Sequence, residues 1–307
     1  MTNIEKLLIE LLKIESVSGN EKNVADFIVS KLKGFDIKKQ IIEKDRYNII
    51  AKKGESDVFV VAHMDTVPGV VPIKITNDKI YGRGSCDNKG NIAGMILLGN
   101  KLENINLLFT VGEEVDFVGV EKVKIKGARV IVMEPTQLKT MIGQMGIIAF
   151  SVITKGKEQH TSLKFKQEDS AVHELVKLIN FLSGKRFNAF NVGKIGGGIA
   201  DNVVAGEAIA DISMRPKNQK EYNEILKTIK NLSNKFSCGI KIRHKYKPFV
   251  SSLPIKGEVA PFFSEMSFFK NSLLFGAGSI KQAHTNDEFI SIKQLNLLEE
   301  KLEKLIQ

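Results

Sequence analysis

The chain has 307 residues, of which 43% are hydrophobic and 26% charged, a composition typical of a folded protein with a large core. Its net charge of +10 comes mostly from scattered lysines. No aromatic-interleaved basic block or nucleic-acid-binding motif occurs, which disfavours nucleic acid as a partner. The longest apolar runs are shorter than the roughly 20 residues of a membrane-spanning helix, the N-terminus is unlike a signal peptide, and two cysteines cannot build a disulfide framework. A cytoplasmic protein that contacts no membrane is expected.

The first third of the sequence alternates between helical and strand-like patterns. Two amphipathic helices are predicted to begin at capping-box spacings, Thr2 with Glu5 and Ser18 with Glu21. A third helix is predicted from about Asn91 to Leu102. Apolar, strand-like runs lie on both sides of it, at 57–62, 105–110 and 128–133. This alternation predicts an α/β fold with a mostly parallel sheet wrapped by helices.

From about Met145 the pattern changes to strand, helix, two strands, helix and strand. A β-α-β-β-α-β order of this length is typical of a self-contained, two-layer α+β unit. The sequences before and after it both resemble parts of the first domain. We therefore predict a catalytic domain formed by 1–144 and 249–307, with a lid domain inserted at 145–248.

Acidic and imidazole side chains follow several of the strand-like runs, and in open parallel sheets ligands collect beyond the carboxyl ends of the strands. Each has an ordinary structural explanation when taken alone, such as a hydrogen-bonded pair or a helix start. Together they would place several carboxylates at one edge, where they repel one another and need a cation. Nitrogen and oxygen ligands without thiolates suit an open, catalytic zinc site. The residues concerned are His63, Asp65, Asp87, Glu113, Glu114, Glu134 and His284.

The order and spacing of these motifs resemble the two-zinc deacylase and exopeptidase family. That family includes acetylornithine deacetylase, succinyl-diaminopimelate desuccinylase, aminoacylase and carboxypeptidase G2. The resemblance runs from near the N-terminus to about Ile290, and it implies a zinc exopeptidase-like catalytic domain. The segments that carry it are "AHMDTVPG", "IYGRGSCDNKGNIAGMI", "LLFTVGEEVDFVG", "VIVMEPT", "GKEQHTS", "GGGIADNVVAGEA" and "FGAGSIKQAHTNDEFI".

The resemblance assigns roles to residues of the catalytic domain. It implies two Zn²⁺ per chain, which Co²⁺ can replace, with Asp87 bridging the pair. Asp65 would orient the ring of His63, and Glu113 would be the general base that takes a proton from the attacking water. A cis peptide bond is expected between Asp87 and Asn88. The remaining ligands implied are His63 and Glu134 for one zinc, and Glu114 and His284 for the other.

The resemblance also assigns roles in substrate binding. His160 of the lid would stabilise the oxyanion, and in dimeric family members this histidine comes from the partner subunit, so a homodimer through the lid is expected. Asn202 would assist at the same carbonyl. Arg215 would bind the substrate α-carboxylate, although a surface arginine at a strand end is the plain alternative. Gly278 is also predicted to contact substrate, in a turn where Ala277 replaces the usual proline.

The last residues of these motif segments are most similar to the corresponding residues of acetylornithine deacetylase and its relatives. They predict hydrolysis of an Nα-acyl basic or diamino acid, such as N-acetylornithine, in amino-acid biosynthesis. A succinyl-diaminopimelate desuccinylase, a metallo-dipeptidase or carboxypeptidase, and a non-catalytic binding module that retains the fold are the alternatives. His173, His244 and Cys86 are predicted to be structural.

Overall fold

The computed structural model of the protein describes residues 1–125 and 127–307. It contains two compact units. The first consists of Met1–Gly143, Val250–Ala260 and Ser264–Gln307, and the second of Gln144–Phe249 and Pro261–Phe263. The chain thus changes unit at 143/144 and 249/250, and the predicted boundaries at 144/145 and 248/249 lie beside these positions.

The first unit contains most of the helices and strands. Its elements before the second unit are α1 Asn3–Leu12, α2 Lys22–Lys31, β1 Asp36–Glu43, β2 Arg46–Lys53, β3 Val58–His63, β4 Lys74–Ile75, β5 Lys79–Tyr81, α3 Lys89–Lys101, β6 Ile105–Thr110, α4 Val118–Glu121, β7 Arg129–Met133 and β8 Met141–Gln144. The second unit contributes β9 Ile147–Lys155, α5 Ala171–Ser183, β10 Phe190–Gly197, β11 Glu207–Met214, α6 Gln219–Lys230, α7 Leu232–Lys235 and β12 Cys238–Tyr246. The chain then returns with β13 Phe249–Val250, β14 Glu258–Ala260, β15 Ser272–Phe275, β16 Phe289–Ser291 and α8 Ile292–Ile306, and short 3-10 turns lie at Gln167–Asp169 and Glu265–Phe268.

The main sheet has the strand order β1-β2-β6-β3-β7-β15-β8-β13, with β14 paired to β8. Its four central strands, β6, β3, β7 and β15, are all parallel, and the strands on either side of them are antiparallel. Every residue of β3 and β6 is buried, as expected for strands that are covered on both faces. The predicted α/β fold with a mostly parallel central sheet is confirmed.

Helices α1 and α8 both pack against α3 on this unit. Gly94 allows the close approach of α8, because a Cβ atom there would lie 2.5 Å from Cδ2 of Leu298. The interface is apolar, with Leu8 and Leu11 of α1 and Leu298 and Leu302 of α8 fully buried. None of the helices in the described part of the chain combines the length and the apolar character that crossing a bilayer requires.

The second unit is a four-stranded antiparallel sheet of order β10-β11-β9-β12 with helices on one face. Alternate residues of its strands, such as Phe150 and Ile212, form a core with Leu178 of α5 and Ile225 of α6. This alternation is the period of two that places one strand face against helices. The element order is the predicted β-α-β-β-α-β.

The two predicted capping boxes are not formed as expected. The Thr2 hydroxyl donates a hydrogen bond to Asn296 Oδ1 of α8, and it does not cap α1. The Ser18 hydroxyl donates to the Asp65 carboxylate, and α2 begins only at Lys22. Both hydroxyls donate to acceptors far away in sequence, and neither accepts a hydrogen bond from the local backbone amides that the spacing suggests.

Candidate active site

The central parallel strands bring the predicted polar residues to one edge of the sheet. His63 is the last residue of β3, Glu134 directly follows β7, and Glu113 and Glu114 follow β6. Because β6, β3 and β7 are parallel neighbours, their carboxyl ends lie side by side. Asp87 reaches the same place from the turn before α3.

Five of these side chains form two groups with the geometry of metal-ion sites. One group is His63, Asp87 and Glu134, and the other is Asp87, Glu114 and His284. Within each group the nitrogen and oxygen atoms lie within 4.8 Å of one another. Asp87 belongs to both groups: its Oδ1 is 2.9 Å from His63 Nε2 and its Oδ2 is 3.5 Å from His284 Nε2. This arrangement can hold two cations that share one carboxylate.

The chemistry of the group around His63 fits a divalent cation. Glu134 is buried, and its Oε1 atom has no hydrogen-bond partner among the described residues, which is costly unless a cation contacts it. Burial raises the pKa of the Glu134 carboxyl well above its usual value. The nearby Cys86 thiol is buried, exchanges hydrogen bonds with the Ser279 backbone, and has a pKa that burial raises. Cys86 is therefore structural, as predicted, and the donors are nitrogen and oxygen.

Both histidines are paired with carboxylates that they would share with a cation. Burial disfavours the charged ring of His63, but its contacts with Asp65 and Asp87 raise its pKa above the usual value. Hydrogen bonds with Asp87 and Glu114 raise the pKa of His284 to about 10. Protonation of these rings and cation binding therefore compete with each other.

Asp65 joins the His63 strand to the segment that carries the predicted base. Its carboxylate accepts hydrogen bonds from the amides of Glu113 and Glu114, both at 3.1 Å, and from the Ser18 hydroxyl at 2.7 Å. The His63 Nδ1 atom donates to the backbone carbonyl of Asp65 at 2.9 Å and lies 3.7 Å from its carboxylate. Both the backbone carbonyl and the carboxylate of Asp65 thus lie against the Nδ1 side of the His63 ring, and the carboxylate also holds the Glu113–Glu114 turn. The role of Asp65 in orienting the ring stays a prediction.

The sequence profile of peptidase family M20/M25/M40 matches residues 59–307. The chain belongs to this family. It is a metal-dependent amide hydrolase, and the described residues contain two groups that could hold metal ions.

Individual relatives agree with this assignment. A peptidase M20 domain-containing protein of Schizosaccharomyces pombe is 31% identical over 95% of this chain and 81% of its own length. The [LysW]-lysine/[LysW]-ornithine hydrolase of Sulfurisphaera tokodaii is 26% identical, over 95% of this chain and 91% of its own length. A probable carboxypeptidase of Aspergillus flavus is 30% identical over 67% of this chain and 61% of its own. The crystal structure of a Staphylococcus aureus tripeptidase has the same fold, with a TM-score of 0.80 at 21% identity over 99% of this chain and 97% of that one.

Glu288 holds the Asp87 turn of this M20 chain, a role that the sequence did not reveal. Its carboxylate is 1% exposed and accepts four hydrogen bonds. Oε1 accepts from the amides of Cys86 and Asp87 at 3.0 and 3.1 Å, and Oε2 accepts from the Gly84 amide at 3.0 Å and from Arg83 Nη1 at 2.8 Å. The peptide bond that follows Asp87 is cis, as predicted. The only sequence signal for Glu288 is its place in "HTNDEF", after His284.

We expect Glu288→Gln to weaken cation binding without unfolding the protein. The amide nitrogen of Gln cannot accept the hydrogen bonds that one carboxylate oxygen now accepts, so the Asp87 turn loses part of its support. Loss of such an outer partner lowers metal affinity by about 10–100-fold. Zinc titration measures the affinity and thermal unfolding checks the fold. Asp287→Asn, at the exposed neighbouring position, is the control and should bind zinc as the unmodified protein does.

The second unit brings two of the predicted substrate residues together. His160 forms a β-bridge with Val203, and the amide of Thr161 donates to the Asn202 carbonyl at 3.1 Å. The His160 ring is exposed, with Nδ1 2.7 Å from the Ser162 hydroxyl. Arg215 directly follows β11 in the same unit. The roles of His160, Asn202 and Arg215 in substrate binding stay predictions.

Gly278 occupies a position that only glycine fits. Its backbone has a φ of +93°, and a Cβ atom there would lie 2.6 Å from Cys86 Sγ. Its amide donates a hydrogen bond to Gln294 Oε1 at 2.9 Å. A left-handed backbone with no room for a side chain explains the residue without a ligand. Its predicted contact with substrate stays a prediction.

Proposed function

We propose that the protein is a two-zinc amidohydrolase that removes an acyl group, acetyl in the first instance, from the α-amine of a basic or diamino acid such as N-acetylornithine. The observation that carries the proposal is the sharing of Asp87 by two ligand groups, beside a buried Glu113 that belongs to neither. One acid is thus available for proton transfer after five other side chains are committed to cations.

The ligand groups and Glu113 have different roles in the proposed reaction. Two Zn²⁺ held by the groups would polarise the amide carbonyl and lower the pKa of a water molecule towards about 7. Burial raises the pKa of the Glu113 carboxyl, which suits a group that accepts a proton near neutral pH. Glu113 takes that proton from the water and gives it to the amine nitrogen as the C–N bond breaks. The products are a short carboxylic acid and the free amino acid.

The substrate class rests on the motif resemblance and on one relative. The [LysW]-lysine/[LysW]-ornithine hydrolase aligns with 95% of this chain, and its name gives LysW-linked lysine and ornithine as what it hydrolyses. Both are basic amino acids of the predicted class. Hydrolysis of a LysW conjugate of lysine or ornithine is therefore the second candidate for the reaction. As in dimeric members of the family, a homodimer with His160 supplied by the partner subunit is part of the first proposal.

A hydrolysis panel tests the substrate and the metal together. N-acetylornithine, N-acetylcitrulline, N-acetyl-lysine, succinyl-diaminopimelate, dipeptides and LysW conjugates are compared as substrates of the zinc-loaded protein by the appearance of free amine. We expect the highest kcat/KM for an acetylated basic amino acid. We also expect activity to disappear after chelation and return when zinc is added. A dipeptide or LysW conjugate that reacts faster would replace the proposed substrate, and full activity of zinc-free protein would remove the metal from the mechanism.

A further inference from the structure

Glu265 is a buried carboxyl group that neither the motifs nor the proposed mechanism uses. It lies in the 3-10 turn after Ser264 and is 1% exposed. One oxygen, Oε2, accepts a hydrogen bond from the Thr110 hydroxyl at 2.9 Å. The other oxygen, Oε1, is buried without a hydrogen-bond partner among the described residues. A carboxylate with a single hydroxyl donor is poorly compensated for its lost hydration.

The charged groups that act on Glu265 belong mainly to the metal-binding edge of the sheet. The charge of His63 favours the ionised form of Glu265, and that of Asp65 disfavours it. In turn, Glu265 raises the pKa of both Glu113 and Glu134. Of the elements packed against the turn, β15 has no titratable residue and α4 has only the exposed Glu121. Glu265 therefore interacts electrostatically with the ligand groups, and its own charge changes the electrostatic potential there.

Thr110 connects Glu265 to strands β6 and β3. It is the last residue of β6, and it is paired in register with His63 of β3. Its carbonyl accepts a hydrogen bond from the Met64 amide at 2.8 Å. Glu265 is thus hydrogen-bonded to the end of β6, beside His63 of β3, although it is not a member of either ligand group.

We propose that Glu265 is a proton-dependent charge behind the ligand groups, which weakens cation binding when protonated and strengthens it when ionised. The inference rests on the proposed metal site. A carboxylate there attracts a cation across the low-dielectric interior without touching it. Binding linkage then requires that the cation favour the ionised form of Glu265 by the same free energy. Burial raises the pKa of Glu265 to about 7, so its ionisation falls within the neutral pH range.

Cobalt titration of the metal-free full-length protein tests this, with Glu265→Gln compared to the unmodified chain. Gln has the size of the protonated acid and cannot ionise. We expect nearly equal Co²⁺ affinities at about pH 5.5 and about tenfold tighter binding by the unmodified chain at about pH 8, the effect of a one-unit shift in the Glu265 pKa. Taking the ratio of the two affinities cancels the titration of the ligands themselves.

A second variant separates charge from structure. The Thr110 hydroxyl lowers the pKa of Glu265, so Thr110→Val should move the pH at which the affinity rises to a higher value. Glu121→Gln, on the exposed side of α4, should leave the affinity ratio at one. A ratio that is the same at both pH values, or that equals one throughout, overturns the role of Glu265. Failure of the unmodified chain to bind Co²⁺ would instead overturn the metal site.

Discussion

Glu113→Gln is expected to lower kcat for the preferred amide by at least about a thousandfold while two cations remain bound. Gln keeps the size of the side chain but cannot accept a proton, and general acid–base groups contribute about 10²–10⁴-fold each. Here one group serves both the attack and the departure of the amine, which places the loss towards the upper end. Steady-state kinetics and elemental analysis of the same preparation measure the two quantities.

The neighbouring residue supplies the matched control for this experiment. Glu114 carries the same side chain one position later, and both amides bind the Asp65 carboxylate. Only Glu114 belongs to a ligand group. Glu114→Gln should therefore lose cation affinity as well as activity, whereas Glu113→Gln should lose activity alone. Metal loss in the Glu113 variant would make it a ligand, and substantial turnover would remove it as the base.

The convergence of the site residues was predictable because a parallel sheet imposes it. His63, Glu113 and Glu134 each follow an apolar run, and apolar runs that alternate with helices form parallel strands. The carboxyl ends of such strands lie at one edge whatever the side chains are. The structure places all three residues there, and the sequence alone required this once the runs were recognised as strands.

Residues whose partners lie far away in sequence were not predictable in this way. Ser18 has capping spacing to Glu21, yet its hydroxyl binds Asp65, 47 positions away. The Glu288 carboxylate accepts hydrogen bonds from backbone amides about 200 positions earlier in the sequence. The Glu265 carboxylate accepts one from a hydroxyl group 155 positions earlier. Periodicity and capping rules describe neighbours within a few residues. They do not predict which hydrogen-bond donor, distant in sequence, will bind a given buried carboxylate.

Asp65 also has partners that the sequence did not indicate. The sequence shows an acid two positions after a histidine at a strand end, which suggests a contact between the two side chains. In an extended chain these side chains point to the same side, but the Asp65 carboxylate is drawn to the amides of the Glu113–Glu114 turn. Those two amides come from the turn that follows β6, and they share the carboxylate with the His63 ring, whose Nδ1 atom lies 3.7 Å from Asp65 Oδ1. Asp65 therefore joins the end of the His63 strand to the turn that carries Glu113.

Asp87→Ala is expected to abolish binding of both cations, whereas His284→Ala should abolish tight binding of only one. The difference is expected because Asp87 belongs to both ligand groups, whereas His284 belongs only to the group that contains Glu114. Asp87 is also the carboxylate that faces both rings, so its loss leaves each histidine without a shared acid. Activity should fall by at least about a thousandfold in either variant, because both cations act on the same amide.

The stoichiometry distinguishes bridging from simple ligation. Elemental analysis after dialysis against about micromolar zinc should give close to zero zinc per chain for the Asp87 variant and close to one for the His284 variant. An Asp87 variant that keeps one tightly bound zinc would show that the carboxylate serves a single cation. In that case the two groups would act as separate sites. Two equivalent losses would instead mean that His284 also stabilises the first cation, through its contact with the shared Asp87.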